Sequence, residues 1–200
     1  MASEKESENT AYRIITDYVR KGYTRSRNRI FIVHRLDRDT SGLVLFAKNE
    51  RAKIALQNGW DRTEKRYIAV VHGTFPQKSG VVTSYLAENK ARVVYSTPDR
   101  SRGKLSTTKY RVLKESKGFS LLEIDLITGR KNQIRVHMSD QGHPVAGDKK
   151  YGFAQDGYRR LALHAYSISF IHPRTGERLS FKTGIPDYLA GLVGGYEKIE

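Results

Sequence analysis

Residues 33–49 read VHRLDRDTSGLVLFAKN. Arg35, Asp37, Arg38 and Asp39 crowd together between two apolar runs, one ending at Val33 and the other starting at Leu43. The pattern predicts two strands joined by a charged turn, and a turn held by a rigid sheet is where reactive side chains are commonly displayed. Thr40, Ser41 and Gly42 suit such a turn, because hydroxyls tie it to its own backbone and glycine supplies a positive φ. A solvated turn with local ion pairs is the plainer reading, and it fits Asp39. Asp37 is the candidate reactive acid: a carboxylate serves as nucleophile or general base, and in a partly dry cleft it needs a neighbouring cation to stay ionised.

Outward from this stretch the chain alternates elements without repeats. Asn9 is expected to cap a helix whose Ala11, Ile14, Ile15, Tyr18 and Val19 share one face, ending at Lys21-Gly22. Residues 30–33, 42–47, 67–72, 92–96, 106–113 and 120–126 are rich in strand formers, several alternating apolar with polar. Residues 131–141 read as a helix stopped by Gly142. Residues 161–171 and 178–183 read as a hairpin around Pro173-Arg174-Thr175-Gly176, followed by a short helix at 186–193. The expected class is α+β, with a mostly antiparallel mixed sheet and a few flanking helices, in a single domain over residues 1–200.

Composition narrows the chemistry. There are no cysteines, and the six histidines lack metal-ligand spacing, so neither a metal site nor a cysteine nucleophile is expected. No apolar run approaches the ~20 residues of a bilayer span and MASEKESENT lacks the apolar segment of a signal peptide, so a soluble, cytoplasmic protein without membrane contact is expected. Against 21 acids stand 36 Lys and Arg, a formal charge of +15, which points to a polyanionic partner. The cations cluster: Arg20, Lys21, Arg25, Arg27 and Arg29, then Arg100, Arg102 and Lys104, then Lys149, Lys150, Arg159 and Arg160. Tyr23, Tyr151 and Tyr158 lie among them, as suits stacking on unpaired bases while cations hold phosphates.

Two further stretches are dense in polar groups. Lys65-Arg66-Tyr67-Ile68-Ala69-Val70 puts a tyrosine at the head of a strand, and Thr128-Gly129-Arg130 leads into Gln133-Ile134-Arg135-Val136-His137. An arginine near a helix start does not complement the dipole, so it is expected to face an acid or a phosphate. With His34-Arg35-Leu36-Asp37, Thr40-Ser41-Gly42, Gly142-His143-Pro144, Gly147-Asp148 and Leu163-His164-Ala165, these motifs resemble the RluA-type pseudouridine synthase family. The resemblance runs in order from about residue 10 to 190 and rests on the agreement of several spaced motifs.

The resemblance implies a catalytic domain folded around a central RNA-binding cleft. It implies that Asp37 attacks a flipped-out uridine so that uracil is detached, rotated and rejoined to ribose through its carbon 5, without any cofactor. A base cannot be turned over while it is stacked, so flipping follows from the chemistry. Tyr67 matches a tyrosine that packs on the base and is implicated in proton removal, Arg135 an arginine paired with the catalytic carboxylate, and Arg35 a position associated with the space left by the flipped nucleotide. The RNA contacts are expected at Arg25, Arg27, Arg29, Arg35, Lys65, Arg130, Lys149 and Lys150, on a structured rRNA or tRNA bound by a monomer. His34, His137 and His164 are expected to be structural.

The chain departs from the family pattern at Asn132, where His is usual, so the hydrogen bonding around Arg130 and Arg135 is expected to differ. It also starts without the strand and Lys-Pro-x-Gly segment usual in the family, which suggests N-terminal truncation, and it shows no S4-like module. One alternative is a non-catalytic RNA-binding fragment of such an enzyme. Another is a glycosidase using Asp37 and Asp39, disfavoured because turn acids two positions apart cannot flank a bond from opposite sides.

Overall fold

A computed structural model describes residues 10–23 and 25–196. The described residues divide into two compact units, one of residues 10–23, 25–35, 44–63 and 170–179, the other of residues 36–43, 64–169 and 180–196. Among the described residues no helix is long and apolar enough to cross a membrane.

In the first unit, α1 spans Ala11–Arg20. Asn9 lies outside the described residues; Thr10 is the cap, its Oγ1 accepting from the Arg13 N–H at 3.3 Å. The apolar face expected for α1 is corrected: Ile14 and Tyr18, one turn apart, are exposed (59% and 81%), while Thr16 is buried and Ile15 and Val19 are partly buried. The helix thus turns a neighbouring stripe inward, because residues i and i+4 share a face and move together. Strands β1 (Phe31–Ile32) and β3 (Phe46–Ala47) pair antiparallel, and α2 (Glu50–Asn58) follows, capped by Asn49 Oδ1 on the Ala52 N–H at 2.8 Å. Only Leu56 of α2 is buried, which is why its sequence carries no apolar stripe to read. His34 is structural: it accepts from the Leu45 N–H at 2.9 Å and lies 4.6 Å from the Trp60 ring.

The second unit is built on a mixed, mostly antiparallel sheet. Its strands are β2 (Ser41–Gly42), β4 (Glu64–His72), β5 (Ser79–Glu88), β6 (Val94–Thr97), β7 (Lys104–Ser116), β8 (Phe119–Leu126), β9 (Leu163–Ile171) and β10 (Arg178–Lys182), in the order β10-β9-β4-β8-β7-β5-β6 with β2 parallel to β9. The tip of the β9–β10 hairpin, residues 170–179, is assigned to the first unit. Strand β4 is central and reads as a continuous apolar run, Ile68 to Val71, at most 1% exposed, because both of its faces are covered. Leu121, Leu122 and Ile124 of β8 join it, with Ile134 and Met138 of α3 (Gln133–Asp140) and Leu189 of α4 (Asp187–Leu192). Covering a side chain of this size contributes ~1.5 to 3 kcal/mol.

The α+β class stands, and two strand expectations are corrected. The strand expected at 42–47 is two strands: Gly42 has φ +113°, which ends β2 before the chain reaches β3. Strand β5 pairs with both β6 and β7, although Ser79, Gly80, Thr83 and Ser84 hide it among polar residues.

Candidate active site

Two glycines decide where the charged turn can lie. Ser41 and Gly42 pair with His164 and Ala165 of β9, and a Cβ at Gly42 would stand 2.2 Å from the Ala165 carbonyl oxygen. Only glycine permits this approach together with its positive φ. The Leu43 N–H donates to the Ala165 carbonyl at 2.9 Å, and the Thr40 N–H closes the turn on the Asp37 carbonyl at 3.1 Å. Ser41 Oγ lies 2.8 Å from His164 Nδ1 and 3.1 Å from the Tyr188 hydroxyl, so the histidine pins the turn. Burial, with Arg160 adding, holds His164 below its ordinary pKa, in keeping with a structural neutral ring. Gly147 (φ +73°) is the second constraint, since a Cβ there would meet the Arg160 carbonyl oxygen at 2.1 Å. It carries the chain away from the end of β4, where the Ala146 N–H donates to the Val70 carbonyl at 2.9 Å, and so delivers Asp148.

Four side chains converge behind that turn. Asp37 Oδ2 accepts from Asn132 Nδ2 at 2.6 Å and, more loosely, from Arg135 at 3.5 Å. Arg135 donates through Nε and a terminal nitrogen to both oxygens of Asp148, each at 2.7 Å. The expected pairing of Arg135 with Asp37 is therefore present but secondary. Arg135 and Asp148 are 9% and 0% exposed in their side chains, and Asp37 is 20% exposed, so only the last is open to a substrate. Burial works against both buried charges. The hydrogen bonds and opposite charge of each partner overcome it, raising Arg135 above its ordinary pKa and holding Asp148 below the usual carboxylate range. Backbone N–H groups of Lys150 and Tyr151 also donate to Asp148 Oδ1, at 2.9 and 3.0 Å.

Asn132 bears on the acid of the turn rather than on the two arginines. Its side chain bonds Asp37 and, through Oδ1, the Tyr151 hydroxyl at 3.2 Å, instead of Arg130 or Arg135. Its backbone is left-handed (φ 52°, ψ 17°), a region that among non-glycine residues favours Asn, Asp and His. That preference explains why Asn can stand where the resemblance leads one to expect His. Asn132→Ala removes a bond to a charged group, ~1.5 to 3 kcal/mol, and adds ~1 kcal/mol of left-handed strain. It is expected to lower the thermal midpoint by several degrees and the rate by about tenfold, while Asn132→His keeps both within a few-fold. Melting curves and single-turnover rates on one RNA check this.

Tyr67 heads the run into the core and is half-buried. It pairs with Ile124 of β8 and with Ala165 of β9, which also pairs with Gly42, so one register ties tyrosine and turn together. Burial, with the Asp37 charge adding, pushes its phenol up to about 12. A phenol so placed keeps its proton at neutral pH and is a poor resting base. Tyr67→Phe is expected to cut the rate by ~10² to 10⁴-fold with RNA affinity unchanged. The wild-type rate is expected to stay flat across neutral pH; a tenfold rise per pH unit would show that the phenolate does the work. The unfolded phenol titrates near 10 and the folded one near 12, so Tyr67 costs no stability below 10 and lowers stability as pH rises between them.

The remaining expected contacts fall apart into groups. Arg25, Arg27, Arg29 and Arg35 are exposed and belong to the first unit, Arg29 lying 4.9 Å over the Phe31 ring. In the second unit Arg130, Lys149 and Lys150 are exposed, and Lys150 Nζ donates to the Arg92 carbonyl at 2.9 Å. Lys65 is buried (9% exposed), because the pleat of β4 turns it inward and its neighbour Arg66 outward. Gln133 explains the turn before α3: it is 2% exposed, accepts from the Arg130 N–H and Thr128 hydroxyl, and donates to Thr107 and Thr108. His137 is held between Ser84 and Thr108, as a structural histidine should be. Sequence reasoning missed Asp148, Asn132 and Tyr151 as members of the site; the Gly147-Asp148 motif was the available signal for the first.

A family model described as RNA pseudouridylate synthase matches residues 3–140. The uncharacterized RNA pseudouridine synthase YlyB of Bacillus subtilis (strain 168) is 40% identical over 170 residues, covering 84% of this chain and 56% of the relative. The ribosomal large subunit pseudouridine synthase D of Zymomonas mobilis is 38% identical over 167 residues, covering 78% of this chain and 52% of the relative. The chain thus spans about half the length of these relatives. Human RNA Pseudouridylate Synthase Domain Containing 1 has the same fold at a TM-score of 0.73 and 24% identity, over 86% of this chain and 76% of that one. The ordered motifs from His34-Arg35-Leu36-Asp37 to Leu163-His164-Ala165, the matched family model and the shared fold place this chain in the RluA-type RNA pseudouridylate synthase family.

Proposed function

We propose that this chain isomerises uridine to pseudouridine in rRNA or tRNA, as a cytoplasmic monomer working without a cofactor. One observation carries the reading: in a cluster whose other charges are buried and bonded to each other, the Asp37 carboxylate alone is partly open, fixed by Asn132 and Arg135. A carboxylate held in this way is pre-oriented for attack and costs little reorganisation when it reacts. Attack by Asp37 on the nucleoside accompanies cleavage of the bond between ribose and N1 of uracil. The detached uracil anion turns, carbon 5 bonds to the ribose as the bond to Asp37 breaks, and the Tyr67 hydroxyl gives its proton to N1 and takes the carbon 5 proton in return, so that carboxylate and phenol both end unchanged. The Tyr67 ring also packs against the base, so the hydroxyl rather than the ring is what Tyr67→Phe removes, and Asp148 acts through Arg135 as a positioning residue.

The test is pseudouridine mapping in rRNA and tRNA from cells lacking the gene, before and after incubation with the purified protein. Discrete new pseudouridines that require Asp37 are expected. RNA binding without conversion at any position would replace this reading with that of a non-catalytic RNA-binding protein.

A further inference from the structure

Asp37 and Asp148, the two carboxylates that share Arg135, are each followed in the chain by a cation, Arg38 and Lys149. Both cations line one cavity of about 350 Å³ in the second unit, together with Arg159 and Arg160. Four cations face a single acid, Asp39, across this space. The excess is local: four of the five charged residues on the cavity wall are cations.

The walls are built rather than loose. Arg160 is held by the Tyr188 ring, 4.1 Å from its guanidinium carbon. Lys149 and Arg159 are exposed on the segment that Gly147 ties to the Arg160 backbone, and Arg38 lies in the turn that Gly42 ties to β9. The same two close contacts that fix the acids therefore fix the cations. Thr40, also on the wall, has a buried hydroxyl without a hydrogen-bond partner among the described residues.

We infer that this cavity is a subsite for one backbone phosphate of RNA, next to the nucleotide presented to Asp37. The inference rests on the proposed function for which nucleotide is presented, and not for the binding itself. A phosphodiester carries one full negative charge on oxygens that several guanidinium and ammonium donors can share, and a cavity of this size admits it with part of its sugar. A neutral sugar or an apolar ligand would bring no negative charge to a wall in which cations outnumber acids. In this arrangement the phosphate is gripped by cations adjacent in the chain to the reacting acid. Binding energy from a part of the substrate that does not react would then set the register of the part that does.

The experiment measures the affinity of a pentauridylate RNA as a function of salt in the Asp37→Asn background, so that no turnover intervenes. Losing one phosphate contact on a single strand makes the log-log slope shallower by about 0.7. Arg159→Gln with Arg160→Gln is expected to do this and to weaken binding several-fold. Lys90→Gln with Lys109→Gln removes the same charge elsewhere on the second unit and is expected to leave the slope unchanged. Because Arg160 packs on Tyr188, melting curves accompany the test, and Lys149→Gln with Arg159→Gln repeats it without touching that contact. Equal slopes in wild type and both cavity variants, or equal changes in cavity and control variants, would overturn the subsite. Failure of the wild-type protein to form pseudouridine, with the slopes as expected, would overturn the catalytic reading and leave the subsite standing.

Discussion

Asp37→Asn is expected to abolish pseudouridine formation, by ~10⁴-fold or more, on the scale seen when an enzyme loses its nucleophile. RNA affinity should change little, because it comes mainly from phosphate contacts. The fold should also survive. The new amide oxygen still accepts from Asn132, and Arg135 keeps its two short bonds to Asp148, so no buried charge is orphaned. The measurement pairs single-turnover conversion with filter binding on the same RNA. Conversion at the wild-type rate would remove Asp37 from the mechanism, whereas a parallel loss of binding would mean that the carboxylate shapes the site instead of reacting in it.

Asp148→Ala should produce the largest loss of stability. It leaves the Arg135 guanidinium, 9% exposed, with the looser Asp37 bond at 3.5 Å and the face of the Tyr151 ring 5.1 Å away, and it strips an acceptor from the Lys150 and Tyr151 N–H groups. Breaking a buried pair from one side costs about 3 to 5 kcal/mol. In a protein of this size that lowers the thermal midpoint by ~10 °C. Activity should fall as well, since a released Arg135 would turn to Asp37 and draw its carboxylate into a pair. Asp148→Asn separates the two effects: it keeps one acceptor oxygen, turns the other into an N–H donor and removes the charge, and should recover part of the stability with little of the rate. A midpoint within ~2 °C of wild type in Asp148→Ala would show that the pair contributes nothing net, as some buried ion pairs do when replaced.

Much of this molecule was legible in its sequence, for identifiable reasons. Strand β4 announced itself through Tyr67 to Val71, because a strand covered on both faces must be apolar throughout. The turn after Leu36 announced itself through Thr40, Ser41 and Gly42, since a glycine amid hydroxyls marks a backbone that other residues cannot follow. Net charge raised the expectation of a polyanionic partner, and the ordered motifs named the family. Helix α2 and strand β5 stayed hidden because one buries only Leu56 along its length and the other carries serine and threonine where its pairing is made by backbone groups. The stripe that α1 buries was misjudged because a helix with apolar residues on more than one side leaves the choice of face to its neighbours.

Within the site, the sequence determined which chemical groups are present, and the tertiary structure decided which of them touch. Asp37 stood out by its local surroundings and Tyr67 and Arg135 by the resemblance, but the strongest bond of Arg135 goes to Asp148, 13 residues onward, and that of Asp37 to Asn132, 95 residues onward. Neither pairing follows from spacing along the chain. Each depends on close backbone contacts, Gly42 against Ala165 and Gly147 against Arg160, that exist only once the sheet has formed. The partition of the carboxylates, one open and one fully buried, has the same origin. Two aspartates of identical intrinsic chemistry become a partly open carboxylate and a buried, paired one because packing removes water from the second and leaves it on the first.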